Sequence, residues 1–134
     1  HLARDAGAHE VMLIDRDNPV IPVKDIDLVF DPVAGSLVLP LVKCLRRGGR
    51  YAIIGFVGGR GDNVPLNRLL LKEISLVGVR AGEQGRQDPA AGARHIREID
   101  ARAAHMRPHI GLEVPLGDVR AAFAAMGEGR IEGK

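Results

Sequence analysis

Short unbroken apolar runs, each bounded by turn-forming residues, constrain this chain more than any other feature. They are Glu10–Ile14 (EVMLI), Asp27–Phe30 (DLVF), Tyr51–Ile54 (YAII) and Ile74–Val79 (ISLVGV), with DRDNP between the first two. A strand with one wet face alternates apolar and polar residues. Continuous runs predict strands covered on both faces, as in a parallel sheet flanked by helices.

Helical spacing fills the intervals. In Ser36–Arg46, residues Leu37, Pro40, Leu41, Cys44 and Leu45 share a face ahead of Gly48-Gly49, with Pro40 confining the helix to its C-terminal side. Leu66–Leu71 reads as a short helix, and Asp88–Ala104 as a longer one with Asp88 as N-cap and Pro89 at the first helical position. Pro108 follows, HIGLEVPL is extended, and Gly117–Gly127 places Val119, Ala122, Phe123 and Met126 on one helical face. His1–Ala6 reads as the end of a helix closed by Gly7, so the expectation is a fragment of a longer protein. Strands alternating with helices, without an internal repeat, predict an α/β fold with right-handed crossovers.

Composition narrows the function classes. The 134 residues are 46% hydrophobic, enough for one core, and 27% charged with a net charge of +2, which excludes a disordered or strongly polyionic chain. The single cysteine, Cys44, leaves no intramolecular disulfide and no zinc knuckle, and fits a reducing cytoplasm. Every apolar stretch is broken well before the ~18 residues of a transmembrane helix, and the start has no signal-peptide plan. The expectation is a soluble, cytoplasmic protein without a membrane partner. Arg46, Arg47 and Arg50 cluster, but aromatics are 3% and Trp is absent, so no stacking platform for nucleic acid is expected.

Ligands of open parallel sheets bind outside the carboxyl ends of the strands. That rule selects Asp31–Gly35 (DPVAG), Gly55–Gly61 (GFVGGRG) and Arg80–Gly85 (RAGEQG). Each has glycine and backbone amides for an anion, and each also looks like a plain strand-to-helix turn. The second is predicted to be mobile without a ligand, because its four glycines carry little packing. Neither G-x-G-x-x-G nor a P-loop occurs. His105 and His109 have the helical ligand spacing, but Pro108 lies between them, and no metal site is expected. Asp25, Asp27 and Asp31 share parity but read as a solvated strand entry, and Cys44 as an inert buried thiol.

Taken in order, HLARDAGAHEVMLID, DLVFDPVAG, CLRRGGRYAIIGF, VPLNRLLLKEISLVGV and RPHIGLEVPLGDVRAAFAAMGEGRIEGK cover nearly the whole chain. Together they resemble the C-terminal part of a zinc-independent quinone oxidoreductase of the medium-chain dehydrogenase/reductase superfamily. The resemblance implies a partial Rossmann-like, doubly wound parallel sheet over residues 1–106 that lacks its first two strands. Residues 107–134 would return to a GroES-like catalytic domain.

The same resemblance implies hydride transfer from NADPH or NADH to a quinone, enone or related carbonyl, performed by a complete parent, with no zinc and no catalytic residue in this stretch. DPVAG matches the family's D-x-V-G-G turn and places Asp31, Val33 and Gly35 near the cofactor. IGFVGG matches its I-G-F-x-S-G loop and places Gly55, Phe56 and Val57 at the nicotinamide and its ribose, with Gly58 or Gly59 where the family has a small polar residue. The final G-K would bring Lys134 to the cofactor phosphates. Ile74–Val79 matches the strand that pairs with its twin in a homodimer. The phosphate-binding turn would precede His1, so this chain is expected to bind cofactor weakly. A different class of reading remains open, a non-enzymatic remnant that keeps only the dimerisation strand. In the family's strand order the two absent strands lie between Glu10–Ile14 and Asp27–Phe30, so these two meet directly, or Glu10–Ile14 pairs with another chain, or the fragment is unstable alone.

Overall fold

The computed structural model describes residues 2–15, 17–61 and 63–133. They form two compact units, residues 12–87 and residues 2–11 with 88–133.

The unit of residues 12–87 is built on β1 (Ile26–Asp31), β2 (Leu45–Ile53) and β3 (Ser75–Gly78), all parallel and in the order β1-β2-β3. Val29 lies opposite Tyr51 and Tyr51 opposite Leu76, while Asp31 lies opposite Ile53 and Ile53 opposite Gly78. Parity therefore puts Val29, Asp31, Tyr51 and Ile53 on one face. There Val29, Tyr51 and Ile74 bury together with Val42 and Leu45, with Val38, Leu41 and Leu69 packed around them. The helices that bring these residues are α2 (Val38–Cys44) and α3 (Leu66–Lys72). Successive crossovers of one hand, running in one direction along the sheet, put both helices on the same side. Continuous runs predict cover on both faces, but Leu28 and Phe30, on the other face, are exposed.

Helix α2 is shorter than its sequence pattern. A 3₁₀ turn, Gly35–Leu37, precedes it, and Pro40 falls in its first turn, where the missing N–H costs little. The helix stops at Cys44, ahead of the glycine pair. Leu45 turns extended, and Lys72 Nζ donates to the carbonyls of Lys43 at 3.0 Å and Leu45 at 2.7 Å. Gly48, with φ of 72°, lies inside β2, in a bulge that breaks the register between Ile26 and Leu28.

Glu10–Ile14 is not a strand. No described strand lies beside β1 on its outer edge, so the run is left unpaired, and Leu13 is 90% exposed. Arg80–Gly85, read as a loop, instead opens the seven-residue helix α4 (Ala81–Gln87). Its two glycines hid it from a propensity reading.

In the other unit, α1 (Leu2–Asp5) precedes the long α5 (Pro89–Arg102), whose first turn is capped as the sequence predicts. Asp88 Oδ1 accepts from the amides of Ala90 and Ala91, each at 3.0 Å. The helix ends at Arg102, so His105 and His109 lie beyond it without the helical pairing their spacing allowed. Helix α6 (Val119–Gly127) follows a 3₁₀ turn at Leu116–Asp118.

Candidate functional site

The carboxyl ends of β1 and β2 carry two loops joined into one structure. Asp31, the last residue of β1, is only 4% exposed. Its Oδ1 accepts from the amides of Val33 at 2.7 Å and Ala34 at 2.9 Å, closing the turn over Pro32. Its Oδ2 accepts from the hydroxyl of Tyr51, which projects from β2 on the same face. The hydrogen bonds to both oxygens are thus supplied by the protein and not by bulk water. The Tyr51 phenol is pushed well up from its ordinary pKa. Burial contributes most, and donation to the Asp31 carboxylate acts in the same direction, since a phenolate would lose that bond and face a like charge.

The second loop is fastened to the first by backbone groups. The amide of Ile54 donates to the Asp31 carbonyl at 2.9 Å, that of Gly58 to the Val33 carbonyl at 2.7 Å, and that of Gly35 to the Gly59 carbonyl at 3.2 Å. This approach requires glycine. Gly35 has φ of 65°, and a Cβ there would lie 2.3 Å from the Gly58 oxygen; a Cβ on Gly58 would lie 3.0 Å from Val33 Cγ1. Buried Ala34 also adopts a positive φ, 57°, a conformation held by its hydrogen bond to Asp31.

The structure thus brings Asp31, Val33, Gly35, Gly55, Phe56 and Val57 together at one end of the sheet. Lys134 lies outside the described residues. Asp31 faces inward, and its carboxylate shapes the turn. What the pair of loops offers outward is Phe56, 59% exposed, Val57, 90% exposed, and Gly59, whose missing side chain borders open space. The loop is held to its neighbour by backbone bonds at Gly58 and Gly59, and within it the Gly59 amide donates to the Phe56 carbonyl at 3.0 Å, while the side chains of Phe56 and Val57 stay exposed. Tyr51 is the site residue that sequence reasoning missed. Its signal was available: the chain's only tyrosine, inside a buried strand, needs a hydrogen-bond partner.

Residues 1–97 match the profile of a family described as zinc-binding dehydrogenase. Among curated proteins, the chain is 31% identical to quinone oxidoreductase-like protein 2 of Bos taurus over 81% of its own length and 32% of the relative's. The chain spans about a third of the length of the curated relatives it matches. Among solved structures, one from Sinorhizobium meliloti, described as an alcohol dehydrogenase, superposes with a TM-score of 0.61 at 29% identity, over 82% of this chain and 28% of the other. An oxidoreductase structure from Mycobacterium abscessus gives a TM-score of 0.61 at 28% identity, over 81% and 31%. The three-stranded parallel sheet is accordingly part of a Rossmann-like fold.

Zinc, which the family description names, does not fit the residues present. Among the described residues no group of three or more His, Cys, Asp or Glu stands together to hold a metal ion. Cys44 is buried, its Sγ donates to the Pro40 carbonyl at 3.2 Å, and burial pushes its thiol pKa up, away from the thiolate a metal needs. The profile match over residues 1–97, with the curated relatives and the two superpositions, shows that the chain belongs to the zinc-binding dehydrogenase family, as a Rossmann-like stretch similar to quinone oxidoreductase-like proteins of the medium-chain dehydrogenase/reductase type.

Proposed function

We propose that this chain forms the nicotinamide side of an NAD(P)H-dependent oxidoreductase that reduces quinones, enones or related carbonyls. It would work together with polypeptide that supplies the phosphate-binding turn and the acceptor pocket, and residues 107–134 would contribute to a GroES-like domain. The observation that carries the reading is the pair of interlocked loops at the carboxyl ends of β1 and β2, which leaves Phe56, Val57 and Gly59 open at the rim where α/β sheets bind ligands. A flat heteroaromatic ring fits such a ledge, because Gly59 leaves room beside two exposed apolar side chains.

When bound, the reduced nicotinamide supplies a hydride to an electron-poor carbon of the acceptor. The chain's own residues position and shield. Asp31 fixes the turn at Val33 and Ala34, Tyr51 fixes Asp31, and the backbone bonds from Gly35 and Gly58 transmit that rigidity to Phe56 and Val57. Those two side chains then cover the ring and exclude water.

Self-association belongs to the same reading. The outer edge of β3 has no partner strand among the described residues, and Leu76, Val77 and Val79 beside it are partly exposed. The run ISLVGV has no charge and no proline to block pairing. Two copies meeting at this edge bury it. Sedimentation of the wild-type chain and of Leu76→Pro separates the cases: Val79 N–H donates inward to Ile53, so by strand alternation the Leu76 amide faces the outer edge, and a proline variant that dimerises as well as wild type contradicts this interface.

The activity is tested by fusing the chain to the first half of a related oxidoreductase and following NADPH and NADH absorbance with a quinone and an enone. Oxidation with one of the acceptors, reduced at least tenfold by Asp31→Ala, is expected. A fusion that binds NADPH yet oxidises it with neither acceptor contradicts the proposal and favours a module that only self-associates.

A further inference from the structure

The segment Arg80–Gly85 meets the strand-end rule for ligands but has no part in the reading above. A cavity of about 330 Å³ lies against it, lined by Ile54, Val79, Ala81 and Gly82 with Arg80, Glu83 and Arg86 at its charged side. That volume is at the lower end of small-molecule sites. The cavity sits outside the carboxyl ends of β2 and β3, and its apolar floor is fixed by the ladder: Val79 N–H donates to the Ile53 carbonyl and Ile54 N–H to the Asp31 carbonyl, both at 2.9 Å. At Gly82 a side chain would meet nothing within 4 Å, so the space is open.

The charges do not balance. Two guanidiniums share one carboxylate, which leaves a net positive charge. Arg86 takes that carboxylate with Nε at 3.0 Å and Nη2 at 2.8 Å, a two-point contact. Gln87 Nε2 also donates to it at 3.3 Å. Arg80 reaches it only at 3.6 Å, beyond hydrogen-bond length, and its guanidinium is 78% exposed. Glu83 thus orients Arg80 without occupying its donor fork. An oriented, unsaturated arginine above an apolar floor suits a ligand with an anionic head and a short apolar stem, since the planar fork matches carboxylate and phosphate oxygens in pairs.

We propose that this cavity is a subsite for an anionic group, carboxylate or phosphate, carried on an apolar stem by the hydride acceptor. The proposal rests on the oxidoreductase reading, because Ile54 immediately precedes the Gly55–Val57 ledge and an acceptor lying there would extend its tail towards Arg80. Arg80 binds the anion, Arg86 adds charge, and Ile54 and Val79 contact the stem.

The test is NMR titration of this chain with inorganic phosphate, butyrate, hexanoate and hexyl phosphate, following the arginine Nε–Hε signals. Saturable shifts are expected at Arg80 and Arg86 and not at Arg120 on α6. Hexanoate should bind several-fold tighter than butyrate, at roughly threefold or more for each methylene buried. Arg80→Gln should weaken binding about tenfold or more, and Glu83→Gln, which removes the competing carboxylate and leaves both arginines, should tighten it. The tighter of hexanoate and hexyl phosphate identifies the head group. Equal shifts at all arginines, or affinity unchanged in Arg80→Gln, overturns the subsite. Anion binding that needs Arg80, in a protein whose Phe56 makes no contact with nicotinamide, overturns the oxidoreductase reading instead; the converse pair of results leaves that reading standing and removes the subsite alone.

Discussion

The Tyr51 hydroxyl donates to Oδ2 of Asp31, and the other oxygen of the same carboxylate holds the turn that carries Val33 and Ala34. One side chain from β2 thereby sets the shape of a loop grown from β1. Both residues are almost fully buried, at 1% and 4% exposure, so neither can exchange its partner for water.

Tyr51→Phe should therefore cost about 1.5–3 kcal/mol of stability, the range for a buried hydrogen bond to a charged group, with little change in packing. Asp31→Ala should cost more, because it also leaves two turn amides and the phenol without their acceptor. Urea denaturation of the three proteins checks the order. A Tyr51→Phe midpoint equal to that of wild type contradicts it.

The pH dependence follows from the direction of the Tyr51 shift. Its folded pKa lies above the unfolded value of about 10, so the folded state holds the phenolic proton more tightly. That stabilisation is fully present below about pH 10 and is lost as pH rises through the folded pKa. Stability should fall in this alkaline range, and Tyr51→Phe should remove that part of the fall. Because Tyr51 is the only tyrosine, tyrosinate absorbance reports it directly. The signal should appear together with unfolding, as monitored by circular dichroism, and not ahead of it.

Gly35→Ala should destabilise the chain by more than 1 kcal/mol, since the added methyl lies 2.3 Å from the Gly58 oxygen at a positive φ. Gly82→Ala is the control. It sits in α4 with open space around it and should be neutral or stabilising by about 0.5–1 kcal/mol. Thermal unfolding of both variants checks the contrast, and a Gly35→Ala midpoint equal to that of wild type contradicts it.

β1 and β3 were legible from their apolar runs, β2 only in its last part from Tyr51, because Leu45–Arg50 carries three arginines and a glycine pair, and α5 was legible from Asp88 and Pro89. Glu10–Ile14 has the same composition but no neighbour, and pairing is not a local property. The end of α2 was misplaced because Lys72, distant in sequence, takes the carbonyls of Lys43 and Leu45. At the site, the strand-end rule and the family resemblance brought out Asp31, Gly35 and the Gly55–Val57 loop. The Tyr51–Asp31 bond depends on the register that puts Tyr51 opposite Val29, one step along the same face from Asp31, and register is not written in either strand alone.

Saturation-transfer NMR with NADPH, a method that reads weak binding, tests the proposed role of Phe56 and Val57 as the ledge for the nicotinamide ring. Affinity should be low, since the chain carries no G-x-G-x-x-G turn for the pyrophosphate. Saturating the protein's methyl and aromatic protons should transfer to the nicotinamide protons and far less to the adenine protons, and Phe56→Ser should abolish the transfer while leaving the fold intact by circular dichroism. Equal transfer to both ends of the cofactor, or transfer unchanged in Phe56→Ser, would mean that Phe56 and Val57 are not the nicotinamide ledge.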